Sequence, residues 1–111
     1  MVEYPPRELD HVYGALSNSA RRGLLERLAG SPARVTDLAD SFPISLAGVS
    51  KHIRVLEEAG LVRREVRGRE HLLTPNPAPL DGAATWLSDY RRFWEERLDL
   101  LDRRIRESRA K

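Results

Sequence analysis

The chain has 111 residues, 19 basic and 17 acidic side chains, no cysteine and a formal net charge of +2. This length predicts one domain over residues 1–111 with a modest core, and the lack of thiolates excludes soft-metal sites and thiol redox sensing. No stretch is typical of a transmembrane span or a secretory signal, so we expect a soluble, cytoplasmic protein that does not bind membranes.

Two helices are predicted in the first thirty residues. Pro5 and Pro6 precede the first, over residues 7–16, whose apolar stripe comprises Leu9, Val12, Tyr13 and Leu16. The second covers residues 19–29 and ends at Gly30 and Pro32. Its apolar residues are Leu24, Leu25 and Leu28.

A helix-turn-helix is predicted next. A short helix over residues 36–42 starts at Thr36 or Asp37, directs Leu38 and Phe42 inward, and is broken by Pro43. Ser45 is a suitable N-cap for a longer helix, and Gly60 supplies the left-handed conformation that ends it. Two helices joined by a turn of a few residues match the unit that docks on DNA in this motif.

The longer helix has two contrasting faces. Helical spacing predicts one buried stripe, formed by Leu46, Val49, Ile53 and Leu56. The opposite side carries small or cationic residues, with Ser50 near its edge: Ala47, Gly48, Lys51 and Arg54. Small side chains and two cations suit a helix that enters the major groove and approaches base edges closely.

A basic hairpin, or wing, follows without a linker. Leu61-Val62 and Leu72-Leu73 are short apolar strand segments, and Gly68 supplies the turn between them. This hairpin contains two glutamates and four arginines, which are Arg63, Arg64, Arg67 and Arg69. Taken alone, the hairpin is equally well interpreted as a solvated surface. Its position after a candidate recognition helix favours contact with DNA phosphates.

The last helix is predicted to mediate dimerisation. Residues 74–79 hold three prolines and predict a rigid connector, followed by a helix over residues 80–108 and a frayed, solvated tail over residues 103–111. Leu80, Leu87, Trp94 and Leu101 repeat at seven residues, with Ala84, Leu98 and Ile105 beside them and Trp86, Phe93 and Leu100 as a second series. The alternative is that the tryptophans are simply core. The broad apolar arc favours packing on the first helix and on the same helix of a second chain.

Several spaced motifs resemble the winged-helix core of the ArsR/SmtB repressors. They are Ala15-Leu16-Ser17 with Arg21-Arg22, Asp37-Leu38-Ala39, Ser50-Lys51-His52, the run from Leu56 to Val62, and Gly68-Arg69. The resemblance spans residues 9–101. It implies a homodimeric transcriptional repressor that binds a palindromic DNA operator and releases it on a signal.

The metal sites of that family are predicted to be absent. One uses thiolates at the start of the first helix of the helix-turn-helix, where residues 34–38 offer no soft ligand. The other uses histidines on the last helix, and residues 80–111 contain none. No cofactor is expected. The Trp-Leu-x-x-Tyr-x-x-Phe-Trp arrangement from Trp86 to Trp94 resembles a thiol-free subgroup. A small organic effector between the terminal helices and no effector at all are equally open.

Each of the three histidines has an ordinary structural interpretation. His52 is expected to pack or to make a hydrogen bond more than to contact DNA, and His11 is expected at the surface or the dimer face. His71 suits either phosphate contact or a strand surface. No pair has the spacing of a local metal site.

Catalysis is not expected, since no nucleophile elbow or phosphate-binding glycine loop appears. The predicted fold is therefore a mainly α winged helix-turn-helix (α-α-α-α-β-β-α) that dimerises through its terminal helices. The residues predicted to contact DNA are Ser45, Ala47, Gly48, Ser50, Lys51, His52, Arg54, Arg64, Arg67 and Arg69. Those predicted at the dimer interface are Leu9, Val12, Tyr13, Leu87, Tyr90, Trp94, Leu98 and Leu101. The alternative function is a winged-helix protein-interaction module, which would have no reason to keep Lys51, Arg54 and the wing arginines together.

Overall fold

The computed structural model describes residues 6–110, with side chains from residue 7, so that Pro5 and Lys111 lie outside the described residues. The elements in chain order are α1 (Pro6–Leu16), α2 (Ser19–Gly30), β1 (Ala33–Arg34), α3 (Val35–Ser41), α4 (Leu46–Glu58), β2 (Val62–Arg67), β3 (Glu70–Pro75) and α5 (Ala78–Ala110). They form a winged helix-turn-helix, in which α3 and α4 are the two helices of the motif and β2 and β3 are the wing. The predicted fold class is confirmed.

The sheet has one strand more than the predicted hairpin. The strands are antiparallel in the order β1-β3-β2. β1 pairs Ala33 with Leu73 and Arg34 with Leu72, which joins the sheet to the start of α3. Two residues are too few to show the alternation that identifies a strand in a sequence, so β1 was not predicted.

The core lies where α2, α3 and α4 pack on the base of the sheet. Its largest fully buried side chains are Leu24, Leu28, Leu38, Val49, Ile53, Leu56, Leu61 and Leu73. Phe42 packs against this cluster from the turn between α3 and α4. A Cβ at Gly23 would meet the Phe42 ring at 3.1 Å, so the glycine lets α2 approach that turn closely.

Local hydrogen bonds fix the ends of the motif helices. Ser45 caps α4 as predicted, since its hydroxyl accepts the Gly48 N–H at 3.1 Å. Gly60 follows α4 with φ of +75°, which confirms its predicted left-handed conformation. The predicted start of α3 was late, because Val35 is its first residue and Arg34 precedes it as the N-cap. Asp37 accepts the Arg34 backbone N–H at 3.1 Å.

The predicted rigid connector is shorter than expected. Thr74 and Pro75 belong to β3, where they pair with Arg63 and Val62, and α5 already begins at Ala78. Pro75 is tolerated because it ends its strand. Asn76 fixes the short link, because its backbone N–H donates to the Leu61 carbonyl and its side-chain amide donates to the Gly60 carbonyl, both at 2.8 Å.

The predicted frayed tail is wrong, because α5 is helical to Ala110, although the side chains from residue 91 onward are exposed. Arginine and glutamate are good helix formers, and Arg106 pairs with Asp102 one turn earlier at 3.1 Å. The helix has 33 residues, or about 50 Å at ~1.5 Å per residue. The radius of gyration is 20.0 Å, against about 13 Å for a compact chain of this size, because α5 projects away from the core.

No helix within residues 6–110 combines the length and apolar character needed to cross a membrane.

Candidate DNA-binding surface

The exposed face of α4 holds the predicted base-contacting residues. Ala47, Lys51 and Arg54 are all exposed, on the side opposite Val49, Ile53 and Leu56. We call these three residues the recognition face. Among the described residues, neither Lys51 nor Arg54 forms an ion pair. Ser45 is exposed at the first turn and Ser50 is half-buried at the edge.

Leu46 does not belong to the buried stripe, contrary to the prediction. It is 53% exposed, whereas Val49, Ile53 and Leu56 are fully buried. Leu46 is the first residue of α4, and its side chain lines a surface depression between α3, α4 and the wing. Helical periodicity assigned it to the core because the pattern cannot show that the first turn extends past the core.

Gly48 lies at the flank of α4 beside Ile44, and not in the open recognition face. A Cβ built on it would come within 2.6 Å of the Ile44 Cγ2 atom and 3.2 Å of the Ser45 hydroxyl oxygen. A larger residue would therefore push apart the turn that joins α3 to α4. The absence of a side chain at Gly48 serves the helix-turn-helix packing, which the sequence pattern alone does not reveal.

His52 follows Gly48 by one helical turn on the same flank of α4, and it contacts α2. Its Nδ1 atom is 3.3 Å from a guanidinium nitrogen of Arg21. Arg21 also donates to the carbonyls of Ala15 at 2.8 Å and Gly14 at 3.0 Å, at the end of α1. Arg21 and His52 thus connect α1, α2 and α4, which agrees with the packing interpretation of this histidine.

The wing tip is a two-residue loop, Gly68-Arg69, between the terminal pair Arg67 and Glu70. Gly68 has φ of +63°, as a tight hairpin turn requires. Arg67 donates to Glu65 at 3.0 Å, with both side chains more than half exposed. Arg69 is exposed, and the described residues offer it no ion-pair partner within 4.0 Å. Both arginines are therefore accessible to a phosphate.

Arg64 occupies a different position from the tip arginines. Its guanidinium donates to both carboxylate oxygens of Glu57, at 2.6 and 3.3 Å, and a third nitrogen lies 2.9 Å from Nδ1 of His71. The Arg64 and Glu57 side chains are only 28% and 30% exposed. This ion pair joins the wing to α4. Sequence reasoning missed it, because the partners are opposed only after the chain reverses at Gly60.

Arg34 makes a second connection between the motif and the wing. Its guanidinium donates to Asp37 on α3 and to Glu70 on β3, each at 3.1 Å. The hydrogen bond from Arg34 lowers the pKa of the Asp37 carboxyl below its ordinary value, and the same bond raises the pKa of Arg34. Both groups are solvent-exposed, so the pair orients the wing more than it stabilises the fold.

One surface results from these contacts. A depression of about 440 Å³ joins the first turn of α4 to the wing, with Leu46 and Ser50 on one side and Arg64 and Arg69 on the other. Lys51 and Arg54 are exposed on the same helix but do not line this depression. His71 is half-buried at the Arg64 contact, whereas His11 is exposed on α1.

The α1–α5 region divides the predicted dimer residues into two groups. Tyr13 donates to the Ala83 carbonyl, and its ring meets Trp86 edge-on at a centroid distance of 6.1 Å. Val12 is only 3% exposed within one chain, so it packs inside the protomer and not against a partner. Leu9 and Tyr13 are half-buried.

Farther along α5, large apolar side chains are exposed. Trp86 stacks on Tyr90 at 5.4 Å, and Tyr90 meets Trp94 edge-on. The exposed members of the predicted interface are Leu87, Tyr90, Trp94, Leu98 and Leu101. Arg97 lies over the Phe93 ring at 4.8 Å. Nothing within residues 6–110 covers this stretch.

Known proteins share this sequence and architecture. A helix-turn-helix domain model matches residues 16–65. The HTH-type transcriptional regulator Rv2034 of Mycobacterium tuberculosis is 36% identical over 92 residues, which are 83% of each chain. A solved ArsR family transcriptional regulator superposes with a TM-score of 0.78 and 34% identity, covering 86% of this chain and 97% of the other.

The chain belongs to the ArsR family of transcriptional regulators. Membership confirms the resemblance drawn from the motifs. It also supports the assignment of this protein as a transcriptional regulator and not as an enzyme. The transcriptional repressor SdpR of Bacillus subtilis is also similar, with 26% identity over 82 residues, or 74% of this chain and 91% of SdpR. This member has no cysteine.

Proposed function

We propose that this ArsR-family regulator is a sequence-specific DNA-binding repressor that acts as a homodimer on a palindromic operator. The observation that carries the proposal is that α4 exposes two cations, Lys51 and Arg54, while Leu46 and Ser50 of the same helix share a depression with Arg64 and Arg69 of the wing. A protein-interaction module would have no need for this combination. Repression is the function named for the similar SdpR.

In this proposal α4 enters the major groove. Lys51 and Arg54 donate to base edges, while Ala47 and Ser50 permit close approach. Ser45 lies at the free N-terminus of α4, where backbone N–H groups favour a phosphate. His52 and Gly48 lie on one flank of α4, where they contact Arg21 and Ile44, and a DNA contact by either stays a prediction.

The wing supplies contacts that do not depend on sequence. Arg67 and Arg69 at the exposed tip contact phosphates of the backbone and increase affinity for all DNA. Arg64 fixes the angle of the wing relative to α4 through Glu57, and its remaining N–H donors lie beside the same surface. Arg64 therefore positions the wing, with phosphate contact as its second predicted role.

The exposed apolar stretch of α5 supports the dimer. Trp94, Leu98 and Leu101 lie on one side of a helix that projects from the core, and an unaccompanied helix of this kind leaves a large apolar patch in water. A second copy covers it symmetrically, because each α5 presents the same patch to the other. A twofold dimer places two α4 helices about 34–36 Å apart, and the operator is then a palindrome.

A gel-shift titration tests the proposal. The wild-type chain is mixed with DNA from the region upstream of its own gene and with unrelated DNA of equal length and base composition. We expect a salt-sensitive complex with the upstream DNA at concentrations where the unrelated DNA stays free. Equal binding to both contradicts sequence-specific recognition, and no binding to either favours the protein-interaction module.

A further inference from the structure

An exposed leucine stands in the middle of the proposed DNA-binding surface. Leu46 begins α4 and is 53% exposed. Single exposed leucines are common on protein surfaces and do not by themselves indicate a function. Leu46 differs by its position, since it shares one depression with the Thr36 and Ser50 side chains and with the arginines of the wing.

The geometry gives Leu46 access to a base edge. Leu46 and Ser50 are one helical turn apart, so their side chains lie one above the other along α4. Ala47 adjoins them on the recognition face without a long side chain to block approach. Arg69, which lines the same depression, is a cation suited to a phosphate at the edge of the groove. An apolar side chain so placed meets bases when α4 lies in the major groove.

We infer that Leu46 contacts the 5-methyl group of a thymine in each operator half-site. Thymine is the only base that presents a methyl group in the major groove. A leucine side chain makes no hydrogen bonds with bases. Its favourable contribution to the binding free energy therefore comes from burial of that methyl group. The inference rests on the proposed function and adds a specificity-determining residue to it.

Uracil substitution isolates the methyl group. Uracil keeps every hydrogen-bonding atom of thymine, so replacing each operator dT in turn by dU changes only one methyl group at a time. The operator is first obtained by selecting bound sequences from a random DNA library with the wild-type chain. Affinities for the dT and dU operators are then measured by fluorescence anisotropy with the wild type, Leu46→Ala and Leu46→Met.

We expect one position per half-site where dU weakens wild-type binding by about fourfold, the factor from burying one methyl-sized group. The same replacement should not affect Leu46→Ala, whereas Leu46→Met should keep most of the effect because it retains an apolar side chain of similar size. Circular dichroism should show all three proteins equally folded, because the Leu46 side chain is half in solvent.

Two other results overturn the inference in distinguishable ways. A defined operator whose dU sensitivity is the same in the wild type and Leu46→Ala, or is absent at every position, overturns the Leu46 contact and leaves the proposed function intact. Failure of the library selection to yield any preferred sequence overturns the proposed function and the Leu46 contact with it.

Discussion

Arg64 on the first wing strand donates to both carboxylate oxygens of Glu57 on α4, at 2.6 and 3.3 Å. Between them the chain ends a helix, turns at Gly60 and starts a strand. The pair therefore fixes the position of the wing relative to the helix that is proposed to contact bases. Its value for DNA binding is geometric, because a partly exposed pair contributes little to the stability of the fold.

Replacing Glu57 with Gln tests this role, because the two explanations predict opposite changes in DNA affinity. The change removes a negative charge close to the DNA, so electrostatics alone predicts tighter binding to all DNA. Loss of the Arg64 contact releases the wing, so we expect weaker binding to the operator. Glu58→Gln makes the same charge change on an exposed neighbour and is the matched control. Tighter operator binding by both variants would contradict a positioning role for Glu57.

Lys51→Ala and Arg54→Ala should each weaken operator binding by about 1–3 kcal/mol, because each removes a proposed contact to a base. Selectivity should relax at one operator position for each variant. Thermal unfolding should match the wild type, since both side chains are exposed. Arg92→Ala, on the exposed polar side of α5, removes one charge elsewhere and controls for net charge. Unchanged operator affinity in both α4 variants would refute their assignment.

Removing Arg67 or Arg69 should weaken binding to operator and unrelated DNA alike. Each lost phosphate contact should make the slope of log affinity against log salt concentration shallower by about 0.9. Titrations at four or more salt concentrations measure this slope, again with Arg92→Ala as the control. A loss confined to the operator, with an unchanged slope for unrelated DNA, would mean that these arginines contact bases.

Zinc, cadmium and arsenite at micromolar concentration should not release the operator. The chain has no cysteine, and residues 80–111 contain no histidine, so both kinds of metal site in the family lack their ligands. Anisotropy of the preformed complex during metal titration checks this, with a chelator added afterwards. Stoichiometric zinc binding coupled to release would point to His11 or His71 with nearby carboxylates.

Leu98→Glu and Leu101→Glu should dissociate the proposed dimer. Each change places two carboxylates near the twofold axis, and burial of unpaired charge costs several kcal/mol. Operator binding should fall with dimerisation, because one half-site offers few contacts at physiological salt. Sedimentation velocity measures the mass, and Arg103→Ala on the exposed polar side of α5 is the control, because it lowers the net charge by the same one unit. A Leu101→Glu chain that stays dimeric and binds normally would refute the interface.

Periodicity and capping predicted most of the helices and the wing. The positions of Val49, Ile53 and Leu56 follow from helical spacing alone, and Ser45 and Gly60 fix the ends of α4 by local chemistry. Leu46 fits the same spacing and is nevertheless exposed. Periodicity gives the direction of a side chain around its helix, but not how far along the helix the core extends.

Contacts between distant segments were the part that the sequence could not supply. Many arginines and glutamates in this chain have opposite charges nearby, and nothing in their order selects Glu57 for Arg64 or Glu70 for Arg34. The tail over residues 103–111 was predicted to be frayed and solvated because chain ends usually are. Residues 103–110 are exposed as predicted, but they are helical.

Changing the spacing of the operator half-sites tests the central claim most directly. Two α4 helices held by one dimer should require half-sites about 10–10.5 base pairs apart. Inserting five base pairs between them rotates one half-site by about half a turn, and affinity should then fall to the level for unrelated DNA. Inserting a full turn restores the orientation of the half-site but not its distance, so a dimer of fixed geometry should regain little affinity. Equal affinity for the original and the five-base-pair operator would show that single chains bind independently, which contradicts the account.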